Sequence, residues 1–355
     1  MKKIQITLTA VILILIFFGA TTNGYSEEWI EKVIAEKKFD IKPDAKLIID
    51  HEYGTVRCKN WNQNVISIKV TVRVKTTNQE KALKIINKID VNIDGSTNKV
   101  EASCDLNQKL HGNSNKQVVI DFDIFMPNTV NLLFNQKFGG AFIEEVSGTT
   151  DISCEYGNLE IISLNNIQNK LELNFTEATI EYISNCNVEL SYSQFDLKKT
   201  NNISLESEYS DLKIDDASLL SLEIEGGNAN IGHVDKLELE SNFSNIEVQN
   251  INKSINADTE YGSLNIYNLN KLFTSLLIQN KFGSVGINTD KESSFSVNIA
   301  NEFGTVSYPD NLWNISSKKI DNTTTILKGE YGKENTTNSI IEIHSEYGAV
   351  NITSK

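Results

Sequence analysis

Apolar and polar residues alternate with a period of two along most of this chain. Leu205, Ser207 and Tyr209, then Leu212 and Ile214, share one parity; Glu206, Glu208, Asp211 and Lys213 take the other. The same pattern runs through Ile255, Ala257, Thr259, Tyr261, Leu264 and Ile266, and again through Leu276, Ile278, Asn280, Phe282, Val285 and Ile287. Successive side chains of a strand point to opposite faces, so this alternation predicts strands with one face in and one face out. The parity shifts by one across a short phrase of Glu or Lys, an aromatic and glycine, which predicts a turn there. A second strand and a polar, Asn- and Asp-rich return complete the unit.

The aromatic of that phrase stands at Tyr53, Phe138, Tyr156, Phe175, Tyr192, Tyr209, Phe243, Tyr261, Phe282, Phe303, Tyr331 and Tyr347, with Gly226 in register between Tyr209 and Phe243. From Phe138 to Tyr261 the intervals are 18, 19, 17, 17, 17, 17 and 18 residues. A near-constant period of this size marks a solenoid of stacked coils. An antiparallel sandwich would also show short alternating strands, but gives no reason for a fixed period. The expected fold is therefore all-β: a single-stranded parallel β-solenoid with coils of about 17–21 residues. At ~4.8 Å per coil, Phe138 to Tyr347 spans a rod of roughly 55–60 Å.

The shared parity places the twelve aromatics inside, as a core ladder. Gly54, Gly139, Gly157, Gly262, Gly283, Gly304, Gly332 and Gly348 are expected at the turn, where a sharp corner favours positive φ. The position two before the ring is small or polar (Cys154, Ser207, Ser241, Thr259, Asn280, Asn301, Ser345), as a narrow interior filled by a ring would require. Asn280 and Asn301 then read as internal rungs.

Residues 27–136 break the period. Leu47, Ile49, Tyr53 and Val56 look like a first coil, and Ile66 to Val74 like a long strand. Ala82, Leu83, Ile85, Ile86 and Ile89 fall at helical spacing behind Asn78, a plausible N-cap. Strands plus one helix would cap the open edge of the stack, and the polar stretch 106–117 reads as a loop. Residues 137–355 form the repeats, with an insertion near 307–328. That insertion is the expected protrusion from the rod; Trp313 either packs over the last coils or offers an aromatic contact.

Lys2 and Lys3, the apolar run Ala10–Phe18 and small residues up to Ser26 make residues 1–26 an export signal. The run is about half the roughly 20 residues that span a bilayer, so no transmembrane segment is expected after cleavage. The net charge of −14 argues against nucleic acid and anionic lipid, both of which need a cationic face. Export permits disulfides, yet Cys154 and Cys186 lie about two coils apart and read as buried fillers. A Cys58–Cys104 bridge stays open.

His51, His111, His233 and His344 are scattered, with no metal-ligand spacing. No nucleophile elbow, phosphate loop or acidic calcium loop occurs. Residues before the ring (Glu52, Glu155, Glu208, Glu260, Glu302, Glu330 and Glu346, with Lys137 and Lys281) should line one edge. Calcium between Glu302, Glu330 and Glu346 is the one metal site that ladder allows; a solvated edge is the plainer reading. No cofactor is expected.

Phe39-Asp40-Ile41-Lys42-Pro43-Asp44-Ala45-Lys46-Leu47, Glu52-Tyr53-Gly54-Thr55-Val56, Trp61, the Gln79–Ile89 helix, Met126-Pro127 and the serial Tyr/Phe-Gly coils together resemble the bacterial putative-adhesin β-solenoid family, over about residues 29–355. The resemblance implies an exported or envelope protein and brings no catalytic motif. The expected function is a non-enzymatic, adhesin-like rod presenting polar edges to a protein or glycan in the periplasm, on the surface or outside the cell. A glycan-active β-helix enzyme and an accessory scaffold or sensor of envelope stress are the alternatives.

Overall fold

The computed structural model describes residues 28–105, 118–309, 313–332 and 338–355. The export-signal reading of 1–26 and the loop at 106–117 lie outside these. The described chain is all-β with one helix, and its twenty strands hydrogen-bond into one continuous open sheet.

The period of the sequence becomes the pairing register. Gln194–Glu208 pairs in parallel with the preceding strand and with the following one, so that Leu205 lies beside Val188 on one side and Leu222 on the other. Leu132, in Asn131–Val146, lies beside Leu47 and Thr150 in the same way. Each inward row therefore stacks on its own copies, giving a solenoid-like body with one long core. Strand Asp211–Glu260 runs through 50 residues without a break, because neighbouring coils hydrogen-bond around its corners.

The aromatics are not in that core. Ten of the rings predicted as a core ladder are exposed by 42–59%: Phe138, Tyr156, Phe175, Tyr192, Tyr209, Phe243, Tyr261, Phe282, Phe303 and Tyr347. Tyr53 is half-buried. The reason is backbone geometry. All eleven of these residues have φ between 47° and 60°, and they are the only non-glycine residues with positive φ among those described. Each is one extra, left-handed residue between two strands, equivalent to a bulge. It follows an outward residue and is itself outward, so Glu208 and Tyr209 both face solvent while Ser207 and Ser210 face in. The parity shift falls on the ring rather than after it. The backbone N–H of the ring residue stays paired with a neighbouring strand, as in Tyr209 N to Glu225 O at 2.8 Å and Tyr347 N to Glu302 O at 2.8 Å.

The turn glycines also differ from expectation. Gly54, Gly139, Gly157, Gly262, Gly283, Gly304 and Gly348 do not have positive φ. They are required by close approach: a Cβ on Gly139 would lie 1.9 Å from Gly54 O, and one on Gly157 1.9 Å from Gly139 O. Where the residue is not glycine it is Thr176, Ser193, Ser210 or Ser244, all buried. Those hydroxyls return bonds to the backbone, such as Ser193 Oγ to Leu173 O at 3.1 Å and Ser210 Oγ to Glu208 O at 2.8 Å.

At the C-terminus the coils are out of chain order. Ile340–Glu346 pairs in parallel with both Ser275–Lys281 and Phe295–Glu302, so the last coil lies between two earlier ones. Phe295–Glu302 is covered on its other side by the antiparallel hairpin Trp313–Ile320 and Thr324–Tyr331. Tyr331 and Gly332, expected in the ladder and turn, belong to this hairpin. Tyr331 is 1% exposed and stacks on Phe295 at 4.8 Å. Trp313 packs here too, 5.0 Å from the Tyr308 ring and edge-on to Tyr331 at 5.7 Å, and is no outlying contact.

At the other end, Lys46–Asn60 pairs on its outer side with Lys99–Asp105 and Val118–Met126. Glu28–Asp40 and Val65–Thr76 extend this region in antiparallel fashion. The helix Gln79–Ile86 buries Ala82, Ile85 and Ile86, and the Asn78 side chain accepts from the Lys81 amide.

Candidate interaction surface: an external aromatic ladder

Displaced to the outside, the rings still lie over one another. Nine consecutive pairs stack with centroids 4.8–5.3 Å apart and planes within 4–14° of parallel. The spacing is that of adjacent strands. The order is Tyr53, Phe138, Tyr156, Phe175, Tyr192, Tyr209, then Phe243, Tyr261, Phe282, Tyr347, Phe303, with the last two exchanged by the threading of the final coil. A left-handed backbone costs a bulky L-residue on the order of 1 kcal/mol, and a stacked pair contributes about 0.5–1.5 kcal/mol. The ladder is thus near balance per rung and is stable as a stack. Its faces are used up internally, and solvent meets only ring edges.

The stack has one interruption. Gly226 occupies the ladder position with φ of 64°, and a Cβ there would lie 2.9 Å from the Tyr209 ring. Tyr209 leans onto this glycine, consistent with the widest ring angle of the ladder, 14° to Tyr192. Phe243 and Tyr209, the rings on either side, are the two most exposed of the ladder, at 59% and 56%.

Charges flank the ladder unevenly. Lys137 pairs with Glu155 at 3.3 Å, and Lys281 lies beside both Glu260 and Glu346. Glu302 adjoins Glu346, but Glu330 is in the hairpin beside Ser296 and Asn314, so the three carboxylates proposed for calcium do not converge. No group of three or more metal-ligating side chains occurs among the described residues. Around Gly226 the pattern is different: Glu206 and Glu208 adjoin Glu223 and Glu225 with no lysine between them. On the other side of the corner Asn228 donates to Asp211 at 2.9 Å and Ser263 to Asn245 at 2.9 Å.

The inward row two before the ring is small or polar at Cys154, Ser207, Ser241, Thr259, Asn280, Asn301 and Ser345, but it holds buried Leu173, Leu190 and Ile224 as well, and with the rings outside an interior filled by them is not the reason. Asn280 Nδ2 donates to Ser345 Oγ at 3.0 Å, and Asn301 Nδ2 to Thr305 O at 2.9 Å. The row's first members are His51 and Gln136, whose role the sequence reading missed although His51 stands two before Tyr53. His51 is fully buried, with Nδ1 2.8 Å from Gln136 Oε1 and Nε2 2.8 Å from Ile120 O. Burial holds its pKa below the usual histidine value, against the opposing effect of these hydrogen bonds and of Asp121 and Asp50. His111 lies outside the described residues; His233 and His344 are on the surface rows.

Cys58, Cys154 and Cys186 are buried thiols, each pushed up to about 12 by burial. Cys58 does not pair with Cys104, whose sulfur instead lies 3.5 Å from the Glu52 amide. A second surface feature escaped the sequence reading: an open groove of about 820 Å³ along the return side, where Asn131, Asn169, Asn185 and Asn202 recur beside exposed Ile167 and Leu219.

Residues 149–353, more than half of the chain, match the model of the family described as Toastrack DUF4097. The chain belongs to the Toastrack DUF4097 family. The match runs from the coil that carries Tyr156 through the last coil and includes the hairpin Trp313–Ile320 and Thr324–Tyr331. Among solved structures, this Toastrack chain is similar to a putative cell adhesion protein from Clostridium sporogenes, 11% identical over 93% of this chain and 100% of that one, with a TM-score of 0.18. It is similar also to a putative adhesin from Bacteroides fragilis (10% identity, 93% and 99% covered, TM-score 0.28). A putative lipid binding protein from Parabacteroides distasonis gives 10% identity, 93% and 97% coverage and a TM-score of 0.28. The comparison with curated proteins found no match. No helix among the described residues is long and apolar enough to cross a membrane.

Proposed function

We propose that this Toastrack protein is an exported, non-enzymatic binding rod. In this reading it is a single-stranded parallel β-solenoid, with residues 27–136 as the N-terminal cap, residues 137–355 as the stack and 1–26 as the removed leader. It presents its edges to a protein or glycan partner at the cell envelope or outside it.

The observation that carries the reading is the placement of the rings. Eleven bulky residues adopt a backbone conformation that costs free energy, and ten of them leave a large apolar ring in solvent. Folding alone would be served by glycine or asparagine at these positions. A row of exposed aromatics on a rigid rod suits recognition, since rings are enriched where interfaces draw their affinity. Flanking carboxylates give the same edge a negative field.

The test is a pull-down from envelope fractions with residues 27–355 as bait, against a variant with Tyr156, Phe175 and Tyr192 replaced by serine. A macromolecule retained by the native ladder and lost with the variant is the expected result. Recovery of nothing beyond what the variant recovers would contradict the proposal.

A further inference from the structure

The ladder's stacked rungs show only their edges, so the faces that could stack on a ligand are confined to its ends and to the break at Gly226. The break is a built feature of the stack. The chain skips one ring while keeping its coil, its register and its left-handed corner, with φ of 64° at Gly226 against 47–60° at the aromatic rungs. Gly227 follows it at the usual close-approach position, where a Cβ would lie 2.1 Å from Ser210 O, so the missing side chain of Gly226 alone opens the gap. Tyr209 and Phe243 are two strand steps apart, about 9–10 Å. A flat group needs about 3.5–4 Å of contact distance on each face, or roughly 7–8 Å in all. One planar group fits, once Tyr209 stands upright like its neighbours.

Charge selects which planar group. Glu208 directly precedes Tyr209 and Glu225 directly precedes Gly226, while Asn242 precedes Phe243; Glu206, Glu223 and Glu240 form the next outward row. No salt bridge engages any of these five carboxylates among the described residues, whereas Lys213 across the coil is taken by Asp196 and Asp215. Residues 201–260 hold thirteen carboxylates against three lysines, the most acidic stretch of the rod. A neutral ring gains little from this field, and a sugar gains only hydroxyl hydrogen bonds to the carboxylates, without the charge pairing. A guanidinium is flat, stacks on aromatic faces and pairs with carboxylates through its edge, whereas an ammonium cannot fill a slab-shaped space.

The geometry points to the notch between Tyr209 and Phe243 as a receptor for an arginine side chain of a basic protein segment, with Glu208 and Glu225 pairing its edge. This rests on the binding-rod reading above and names the partner's chemistry.

Gly226→Phe tests it, because phenylalanine already occupies this backbone conformation at five other rungs and would restore an unbroken ladder. The probes are fluorescein-labelled hexa-arginine and hexa-lysine, followed by anisotropy on purified residues 27–355 at low salt, with thermal melting confirming that the variant is folded. The native protein should bind hexa-arginine at least fivefold more tightly than hexa-lysine, and Gly226→Phe should bring the two to equal affinity. Equal affinity for both peptides in the native protein would overturn the assignment, as would an arginine preference that survives Gly226→Phe. Displacement of hexa-arginine by a neutral β-linked glucose hexasaccharide would overturn it too, in favour of a glycan. If the peptides fail while the serine variant still loses its captured partner, the notch is wrong and the binding rod stands.

Discussion

A tyrosine's contribution to this fold depends on which side of the chain its backbone turns it. Tyr209 is more than half exposed and stacks on one ring, so Tyr209→Ala should cost no more than about 1.5 kcal/mol. Tyr331 is enclosed by Phe295 and Trp313, and its removal should cost about 3–5 kcal/mol as for other buried rings. Chemical denaturation of both variants would separate these values, and equal losses would contradict the exposed ladder. At Gly157 the cause is different: a methyl group would press on Gly139 O at 1.9 Å, with no side chain able to yield. Gly157→Ala should therefore destabilise by about 3 kcal/mol or more, while Gly140→Ala, which meets only side-chain tips (Asn158 at 3.1 Å and Thr55 at 3.6 Å), should be mild. His51 adds a pH term. Because its folded pKa is depressed below 6.5, its contribution is complete above that pH and is lost as the pH falls through and below it. The drop in melting temperature between pH 7.5 and 5.5 should be smaller in His51→Gln than in the native chain.

At the scale of elements, the period carried most of the architecture. Coil length, inward rows, buried Asn280 and Asn301, and the Asn78-capped helix were all legible, since each follows from side-chain alternation or capping chemistry. The facing of the rings was not. Alternation reads a residue as in or out by counting; the left-handed residue shows only as a shift of parity, which counting assigns to the glycine because tyrosine and phenylalanine rarely adopt that conformation. The C-terminal threading was also hidden. Coils built on one pattern present nearly identical edges, so the pattern cannot say that Tyr347 precedes Phe303 in the stack. The interval of 28 residues from Phe303 to Tyr331 was the only trace of it. Ending the chain at residue 338 would remove Ile341, Ile343, Val350 and Ile352, all buried, at about 1.5–3 kcal/mol each. Hydrogen exchange should then show Ser275–Lys281 and Phe295–Glu302 losing protection, with the coils before Phe243 unchanged, as expected when each repeat contacts only its neighbours. Loss of protection throughout the chain would show instead that the body folds as one cooperative unit.

For the molecule as a whole, the same coils that bury an aliphatic core project a column of rings on the outside. Its charge pattern varies along the length: one lysine, Lys137 or Lys281, stands among the glutamates near each end, and Glu206, Glu208, Glu223 and Glu225 adjoin without a lysine beside the break at Gly226. The most direct test of the outward ladder is tyrosine nitration of the native protein with tetranitromethane, mapped by mass spectrometry. Tyr156, Tyr192, Tyr209, Tyr261 and Tyr347 should be modified while Tyr331 is spared until the protein unfolds. Protection of Tyr156, Tyr209 and Tyr261 in the native state would place the rings inside and contradict the account.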